Sequence, residues 1–552
     1  MEEGVQHPGM RESFARGFGS GLVVLIVWFL VRLGGLAPFP PESALTAFLS
    51  VIPESLQEPA VQTLGEGAGL LGLLVATLVA AAAYGLLSVA FERYFLGRFP
   101  ADHGPTSLER TLVYAFVPWL FFGAGVLPLT GVSFFGLGSS IASPGLTWAF
   151  PLTMLVMQFL WGLLLWSRLP VPIVPKAGAA AENVPRDTGR RTFIEKGLIL
   201  AGSAVVVLAS LGSALGSLAS EGGLLSQGGV PILPGTPINS QNAPAIFSDP
   251  RLAELVDSEV TDNDSFYRVA IDVFDPDVAV SDWSLALGGL VSNPKGYSLP
   301  DLQSLPKVEE YDTFACVSNL VNGDLISNAK WGGVRLSDLF ADAGGVSQGA
   351  QYVVFRSVDG YSVGIPLARA LEPGSMLAYE MNGMALPQRH GYPLRAVIPG
   401  LYGMMSAKWV RQIELSNAAY LGYWQTRGWS SDATVQTAAF VRVPQDGATV
   451  SLSQNDGSVM IGGIAFAGDR GISKVEVSVD GGKTWEQAVL KPPASELSWA
   501  LWAYEWHPQG PGAYTIYARA TDGNNDVQVA VQSGPFPAGA TGYVMSDVNV
   551  GS

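Results

Sequence analysis

The chain of 552 residues contains one cysteine, Cys316, and four histidines, His7, His103, His390 and His507. A single cysteine excludes an intramolecular disulfide framework, and without a Cys-x-x-Cys-His run there is no covalent c-type haem attachment. Charged residues make up only 14% of the chain and the mean hydropathy is +0.29, too apolar for an ordinary soluble protein. The shortage of charge is uneven. Of the 31 Lys and Arg and the 47 Asp and Glu, 12 and 13 fall before residue 217, so that part is net −1 and the remainder net −15. A half that acidic excludes nucleic acid as a partner, because phosphate backbones need a basic face.

What the first part has in abundance is long apolar runs. Five of them, at about 18–36, 68–91, 112–129, 147–166 and 197–218, reach the roughly 20 helical residues that span a hydrocarbon core. Pro118 is placed to kink the third, and Arg32 to snorkel from the end of the first. Arg11 and Arg16 precede the first run, Arg93, Arg98 and Arg110 follow the second, and Arg168, Lys176, Arg186, Arg190 and Arg191 follow the fourth. The loops 37–67 and 130–146 contain no Lys or Arg. By the positive-inside rule the N-terminus is cytoplasmic, and five crossings put everything after about residue 219 on the outer face of the cell membrane. Arg190-Arg191-Thr192-Phe193-Ile194-Glu195-Lys196 before the last run resembles a twin-arginine export signal placed internally. No histidine lies in any of the five runs, so no axial pair for a b-type haem is expected there, and the near absence of acids and bases points to no ion path.

Beyond the membrane region, 1–218, the stretch 219–250 is rich in Gly, Ser and Pro and reads as a linker. Residues 251–428 read as a mixed α/β domain of short strands, expected at 267–273, 284–290, 352–357 and 395–398, with short helices at 337–343 and 366–371. Residues 429–552 read as strands alone, at 438–443, 459–465, 474–479, 484–489 and 514–520. Asp480-Gly481-Gly482 is a hairpin signal, and Trp485, Trp499, Trp502 and Trp506 are available to a core. A seven-strand immunoglobulin-like sandwich is the expected fold.

The lone cysteine sits in Thr313-Phe314-Ala315-Cys316-Val317-Ser318-Asn319, ahead of Gly323-Asp324-Leu325-Ile326 and Trp331-Gly332-Gly333-Val334. Downstream come Leu377-Ala378-Tyr379-Glu380-Met381-Asn382-Gly383, His390-Gly391-Tyr392-Pro393-Leu394-Arg395, Pro399-Gly400-Leu401-Tyr402-Gly403 and Ser406-Ala407-Lys408-Trp409. A third block is Ala467-Gly468-Asp469-Arg470-Gly471, followed by Val475-Glu476-Val477-Ser478-Val479-Asp480-Gly481-Gly482. In this order the blocks resemble the sulfite oxidase family over about residues 264–528. The resemblance implies a molybdenum–molybdopterin cofactor. Cys316 would supply a thiolate to the metal, with Ser318, Asn319, Trp331, His390, Arg395, Ser406 and Lys408 around the pterin and its phosphate. Arg268 and Arg470 match family arginines that hold a substrate oxyanion, and the third block resembles the family's dimerisation domain, implying a homodimer.

Elementary chemistry agrees with that resemblance. A metal that exchanges an oxo group in a two-electron step is best served by soft, electron-rich sulfur. The pterin brings two sulfurs, so one protein cysteine suffices. A phosphate needs charge-assisted donors, and residues 390–408 carry His390, Arg395 and Lys408 with no acid among them.

The sequence departs from the family in two places. Trp429 stands where sulfite oxidisers carry a tyrosine beside the metal, and the residues after Arg268 lack the Asn-His pair of animal members. Both weaken sulfite as the substrate without touching the cofactor. The expected function is oxygen-atom transfer to or from a small oxyanion or sulfur compound, with sulfoxide-type reduction as the second enzymatic reading. A cofactor-free interaction module on an anchor is the reading from another class. With neither a c-type nor a cytochrome b5-like haem motif, electrons are expected to pass to a separate partner.

Overall fold

In the computed structural model the described residues are 10–33, 41, 45, 67–94, 156–158, 160–161 and 242–552, save 273, 274 and 454. They fall into two units, Met1–Leu224 and Leu225–Ser552. In the first unit the leading apolar runs become α1 (Met10–Leu33) and α2 (Gly67–Tyr94). α1 starts eight residues before its apolar run, where Arg16 pairs with Glu12 across one turn at 3.0 Å. The two helices meet on small residues. A Cβ on Gly17 would lie 2.4 Å from that of Ser88, and one on Gly21 would enter the Tyr84 ring. Tyr84 Oη also accepts a hydrogen bond from Gln158 at 2.7 Å. The expected spans 112–129 and 197–218, most of 147–166, the Arg190-Arg191 pair and the linker up to 241 lie outside the described residues.

The second unit begins with ten strands. They are β1 (Leu285–Gly289), β2 (Lys295–Tyr297), β3 (Lys307–Ala315), β4 (Ile326–Arg335), β5 (Tyr352–Ser357), β6 (Ser362–Pro366), β7 (Met376–Met381), β8 (Met384–Ala385), β9 (Arg395–Val397) and β10 (Val410–Ser416). One sheet runs β2-β1-β10-β5-β6, with β1 parallel to β10, and the other runs β3-β4-β7-β8 with β9 on β7. β3 and β4 form a continuous antiparallel ladder from Lys307↔Val334 to Ala315↔Ile326. Gly333, at an irregularity of the β4–β7 ladder, is required there, since a Cβ would lie 2.0 Å from the Leu377 carbonyl. β3, β4 and β7 escape sequence patterning. β7 is buried at every position and β4 at all but two, so neither alternates.

Nine strands complete the unit: β11 (Ala438–Val443), β12 (Ala448–Ser451), β13 (Val459–Phe466), β14 (Ile472–Ser478), β15 (Glu486–Gln487), β16 (Val489–Leu490), β17 (Ala500–Trp506), β18 (Gly512–Asp522) and β19 (Val544–Gly551). They form sheets β11-β13-β17-β16 and β12-β19-β18-β14-β15 that share one core of Ile461, Val477, Trp502, Ile516 and Val548 among others. This is a sandwich of nine strands, not the seven expected. The 484–489 run splits into β15 and β16, one on each sheet, and β12 adds a parallel pairing to β19. The Asp480-Gly481-Gly482 turn joins β14 to β15, with Asp480 accepting from the Lys483 and Thr484 amides.

The expected strand at 267–273 does not form among its described residues. Side chains hold that segment in place of a ladder: the Tyr267 amide donates to Ser327 Oγ at 3.0 Å, and Arg268 pairs with Asp275 at 2.7 Å.

Lys491 and Glu259, 1% and 2% exposed, form an ion pair at 2.7 Å that ties the entry to the α/β domain to the sandwich. Removing one partner strands a charge in the interior. Lys491→Met is expected to lower unfolding free energy by about 3–5 kcal/mol, and Glu259→Gln with Lys491→Met to recover most of it, read from urea denaturation. Equal loss in the single and double variants would show that the pairing is not what matters.

Candidate functional site

The β3–β4 ladder delivers Cys316 at its open end. The Cys316 amide donates to the Leu325 carbonyl at 2.9 Å, closing a turn inside which the Asn319 amide donates to the Cys316 carbonyl at 3.1 Å. Asn319 Oδ1 accepts from the Leu325 amide at 3.0 Å, so this side chain braces the turn. Ser318 Oγ lies 3.0 Å from Cys316 Sγ. Burial pushes the Cys316 thiol up, and hydrogen bonds from Ser318 and from the Val317 amide pull it back in part. Among the described residues no group of three His, Cys, Asp or Glu could hold a metal ion. A metal at this thiol therefore takes most of its ligands from something other than the chain.

Arg395, at the start of β9, is 4% exposed. Its guanidinium lies 4.7 Å from the centroids of both Phe314 and Trp331, whose rings stack on each other. Among the described residues its donors reach backbone alone: the carbonyls of His390 at 3.1 Å, Ser406 at 3.4 Å and Ala396 at 3.5 Å. Trp331 is fully buried and donates to the Asp312 carbonyl at 3.2 Å, so it acts on the site through Arg395. Ser406 Oγ accepts from the Ile398 amide at 3.1 Å. His390 is buried against Phe266, and its Nε2 donates to the Asn263 carbonyl at 2.6 Å, which fixes the neutral tautomer. Burial, with the charges of Arg395, Lys408 and Arg389, pulls His390 down to about 3.

Lys408 lies over the Trp409 ring at 4.3 Å, and its Nζ is 3.4 Å from the Arg389 carbonyl. Gly391 makes room for it, since a Cβ there would press on Lys408 and Arg395 at 3.1 Å. Burial pulls Lys408 down to about 7 and Arg395 down to about 10. Asp275 and Asp359 lie within electrostatic reach of the lysine, and Tyr267 and Asp312 within reach of the arginine. Burial keeps the Asp312 carboxyl far above its usual range, and Asp275 is bonded to Arg268. Among the described residues no carboxylate forms an ion pair with Arg395 or Lys408.

The two arginines expected at the substrate each meet a carboxylate. Arg268 is paired with Asp275. Arg470 Nε meets Asp522 at 2.8 Å, and its Nη2 meets the Val435 carbonyl and Thr437, which fastens the β18 turn. Trp429 is buried against Phe536, and its indole N–H has no partner among the described residues. The structure instead brings three tyrosines to Cys316 that sequence reasoning did not assign. Burial raises the phenols of Tyr267, Tyr361 and Tyr402, and Cys316 adds to each rise. They come from separate segments, so spacing along the chain carries no sign of their convergence.

Arg395, buried, and Lys408, half-buried, donate to carbonyls among the described residues, which fits an anionic group with several acceptor oxygens. One thiol without companion ligands fits a metal that arrives with its own sulfurs. The donor set therefore fits a phosphate-bearing pterin with molybdenum.

Phosphate bound at Lys408 raises the lysine above its value of about 7. The sign follows: its contribution is full below about pH 7 and is lost as pH rises above it. With inorganic phosphate titrated into cofactor-free protein, the advantage of wild type over Lys408→Met is expected to shrink above pH 7 by up to about tenfold per unit. A constant ratio from about pH 6 to 9 would remove Lys408 from the anion site.

Residues 272–424 match the model of the oxidoreductase molybdopterin binding domain, and residues 428–533 that of the Mo-co oxidoreductase dimerisation domain. Mitochondrial sulfite oxidase of Rattus norvegicus is 32% identical over 344 residues, which cover 53% of this chain and 61% of the relative. The chain thus spans about three fifths of that relative's length. Sulfite oxidase of Gallus gallus is 32% identical, covering 54% of this chain and 74% of the relative, and that of Arabidopsis thaliana is 31% identical, covering 51% and 85%. Among solved structures, the sulfane dehydrogenase SoxCD from Paracoccus pantotrophus aligns at 24% identity over 49% of this chain and 74% of its own, with a TM-score of 0.43. With most of the chicken and plant proteins matched above 30% identity by a chain that carries both domain models in order, the protein belongs to the sulfite oxidase family of molybdopterin-dependent oxidoreductases.

Proposed function

We propose that the chain is a membrane-anchored, extracytoplasmic oxidoreductase that transfers an oxygen atom to or from a small sulfur compound. The observation that carries this is a pair of cations, Arg395 buried and Lys408 half-buried, without a carboxylate ion-pair partner among the described residues, in the same domain as a single buried thiol. Arg395 and Lys408 would hold the pterin phosphate, with neutral His390 donating through Nε2 to the Asn263 carbonyl behind them. Cys316 would ligate the molybdenum, Ser318 would tune its sulfur, and Trp331 would keep the Arg395 guanidinium flat. When bound, the group supplies a two-electron redox change coupled to gain or loss of an oxo ligand. The chain's part is to bind and orient it and to shape the substrate's approach. We read residues 251–428 as the cofactor domain and 429–552 as an immunoglobulin-like dimerisation domain, with a homodimer as the assembly. Electrons pass to a separate partner.

The membrane reading rests on the sequence and on the first unit. Two of its helices, Met10–Leu30 and Leu71–Ala90, are long and apolar enough to cross a bilayer. They touch through small residues, as helices packing in lipid do, and leave Val23, Ile26, Leu74, Val75 and Val79 exposed. An exposed apolar surface of that kind supports a lipid-facing reading. The alternating loop charges support a cytoplasmic N-terminus and an outer catalytic part.

Two experiments test these proposals. The purified full chain, from a host that makes the cofactor, is expected to carry about one molybdenum per chain. Cys316→Ser should lose oxygen-atom transfer while keeping most of its pterin, since Arg395 and Lys408 hold that group independently of the metal. Metal-free wild type, or a fully active serine variant, would overturn the assignment.

Protease added outside intact cells is expected to cut between residues 220 and 250 and release a soluble acidic fragment. Lys-Lys in place of Arg190-Arg191 should leave the catalytic part inside. Cleavage only after lysis would reverse the orientation.

A further inference from the structure

The turn that begins at Cys316 is fastened to the sandwich by a pair of side chains, Asn322 on the turn and Arg442 on β11. We infer that Arg442 is a positioning residue for the thiol: together with Asn322 it latches the turn and so sets where Cys316 can hold a metal. The inference rests on the functional reading above, in which Cys316 is the metal ligand.

β11 is the edge strand of its sheet, and its register against β13 shifts between Val441 and Val443. Arg442 is thus the extra residue of a bulge, and a bulge breaks the ladder and re-aims the side chain it carries. The guanidinium turns to the residues that follow the cysteine. Its Nη1 donates to the Asn322 carbonyl at 3.0 Å and its Nη2 to the Gly323 carbonyl at 2.8 Å. A planar fork bridges two successive carbonyls in a way that one flexible ammonium does not. Asp324 stands 3.6 Å away, but its side chain is 96% exposed, so that contact adds little.

Asn322 answers from the turn. It sits at φ 62, a left-handed conformation that asparagine tolerates better than most residues. Its Oδ1 accepts from the Val441 amide at 2.9 Å, which satisfies a donor on the edge strand. Val321 beside it packs against the sandwich core. The hold then passes back to the cysteine. The Gly323 amide donates to the Leu320 carbonyl at 3.0 Å, and the Asn319 amide to the Cys316 carbonyl at 3.1 Å. A Cβ on Gly323 would lie 2.4 Å from Asn319 Oδ1, so the latched residue packs directly on the side chain that braces the turn. Without the latch the turn keeps its internal hydrogen bonds and loses its tie to the sandwich.

Cys316 is the single cysteine, so alkylation of the chain reports this thiol alone. In the cofactor-free full chain in detergent, iodoacetamide is expected to react at least about tenfold faster with Arg442→Met and Asn322→Gly than with wild type. Glycine keeps the left-handed backbone and removes only the Oδ1 acceptor. Asn322→Asp restores an acceptor and should bring the rate back to within about twofold of wild type. Lys491→Met, which breaks the buried ion pair described above, should stay within about twofold as well. In the cofactor-loaded chain, with molybdenum measured in the same preparation, Arg442→Met should keep its metal while its Mo(V) EPR signal shifts or splits. Unchanged alkylation in both latch variants, an equal rise in Lys491→Met, or an unshifted signal would overturn the inference and leave the functional reading standing. Wild type without molybdenum would overturn the functional reading, and the inference with it.

Discussion

Arg395 and Lys408 are enclosed by aromatic faces and backbone carbonyls without an ion-pair partner among the described residues, and much of the second unit's architecture serves that unusual arrangement. The Phe314–Trp331 stack that supports the guanidinium exists because β3 and β4 are paired along nine positions. β7 accepts β4 on one edge and β9 on the other, which sets Arg395 above the stack. Gly391 lets the chain pass close enough for Lys408 to join it. Buried charge without an ion-pair partner lowers stability by several kcal/mol, and a bound anion would offset that cost.

The same ladder fixes the thiol. Cys316 follows directly on β3, so the strand that builds the cation's aromatic bed also sets the position of the thiol. Tyr267 lies within electrostatic reach of both Cys316 and Arg395.

Residue types and short spacings made part of this legible beforehand. The 352–357 strand, the 438–443 strand and the hairpin at Asp480 were readable because their edges or faces alternate or their turn chemistry is specific. Of the strands that carry the site, β9 was readable at 395–398, but β3, β4 and β7 were not, because burial on both faces of β4 and β7 erases alternation. Arg268 and Arg470 were singled out by their match to family arginines, and their carboxylate partners stand 7 and 52 residues away. Pairings at such separations leave no local pattern.

The sequence determined the cofactor class through its ordered resemblance to the sulfite oxidase family, with which one soft ligand and an acid-free run of His, Arg and Lys agree. It also determined which runs are long enough to cross a membrane, as a matter of length and hydropathy alone. The tertiary structure alone decided which cations stay available and which are neutralised, because that depends on where distant carboxylates come to rest. It alone decided how the turn after Cys316 is held as well. That turn, near residue 320, is fastened to a strand more than a hundred residues later, and the fastening is a property of their meeting and not of either segment.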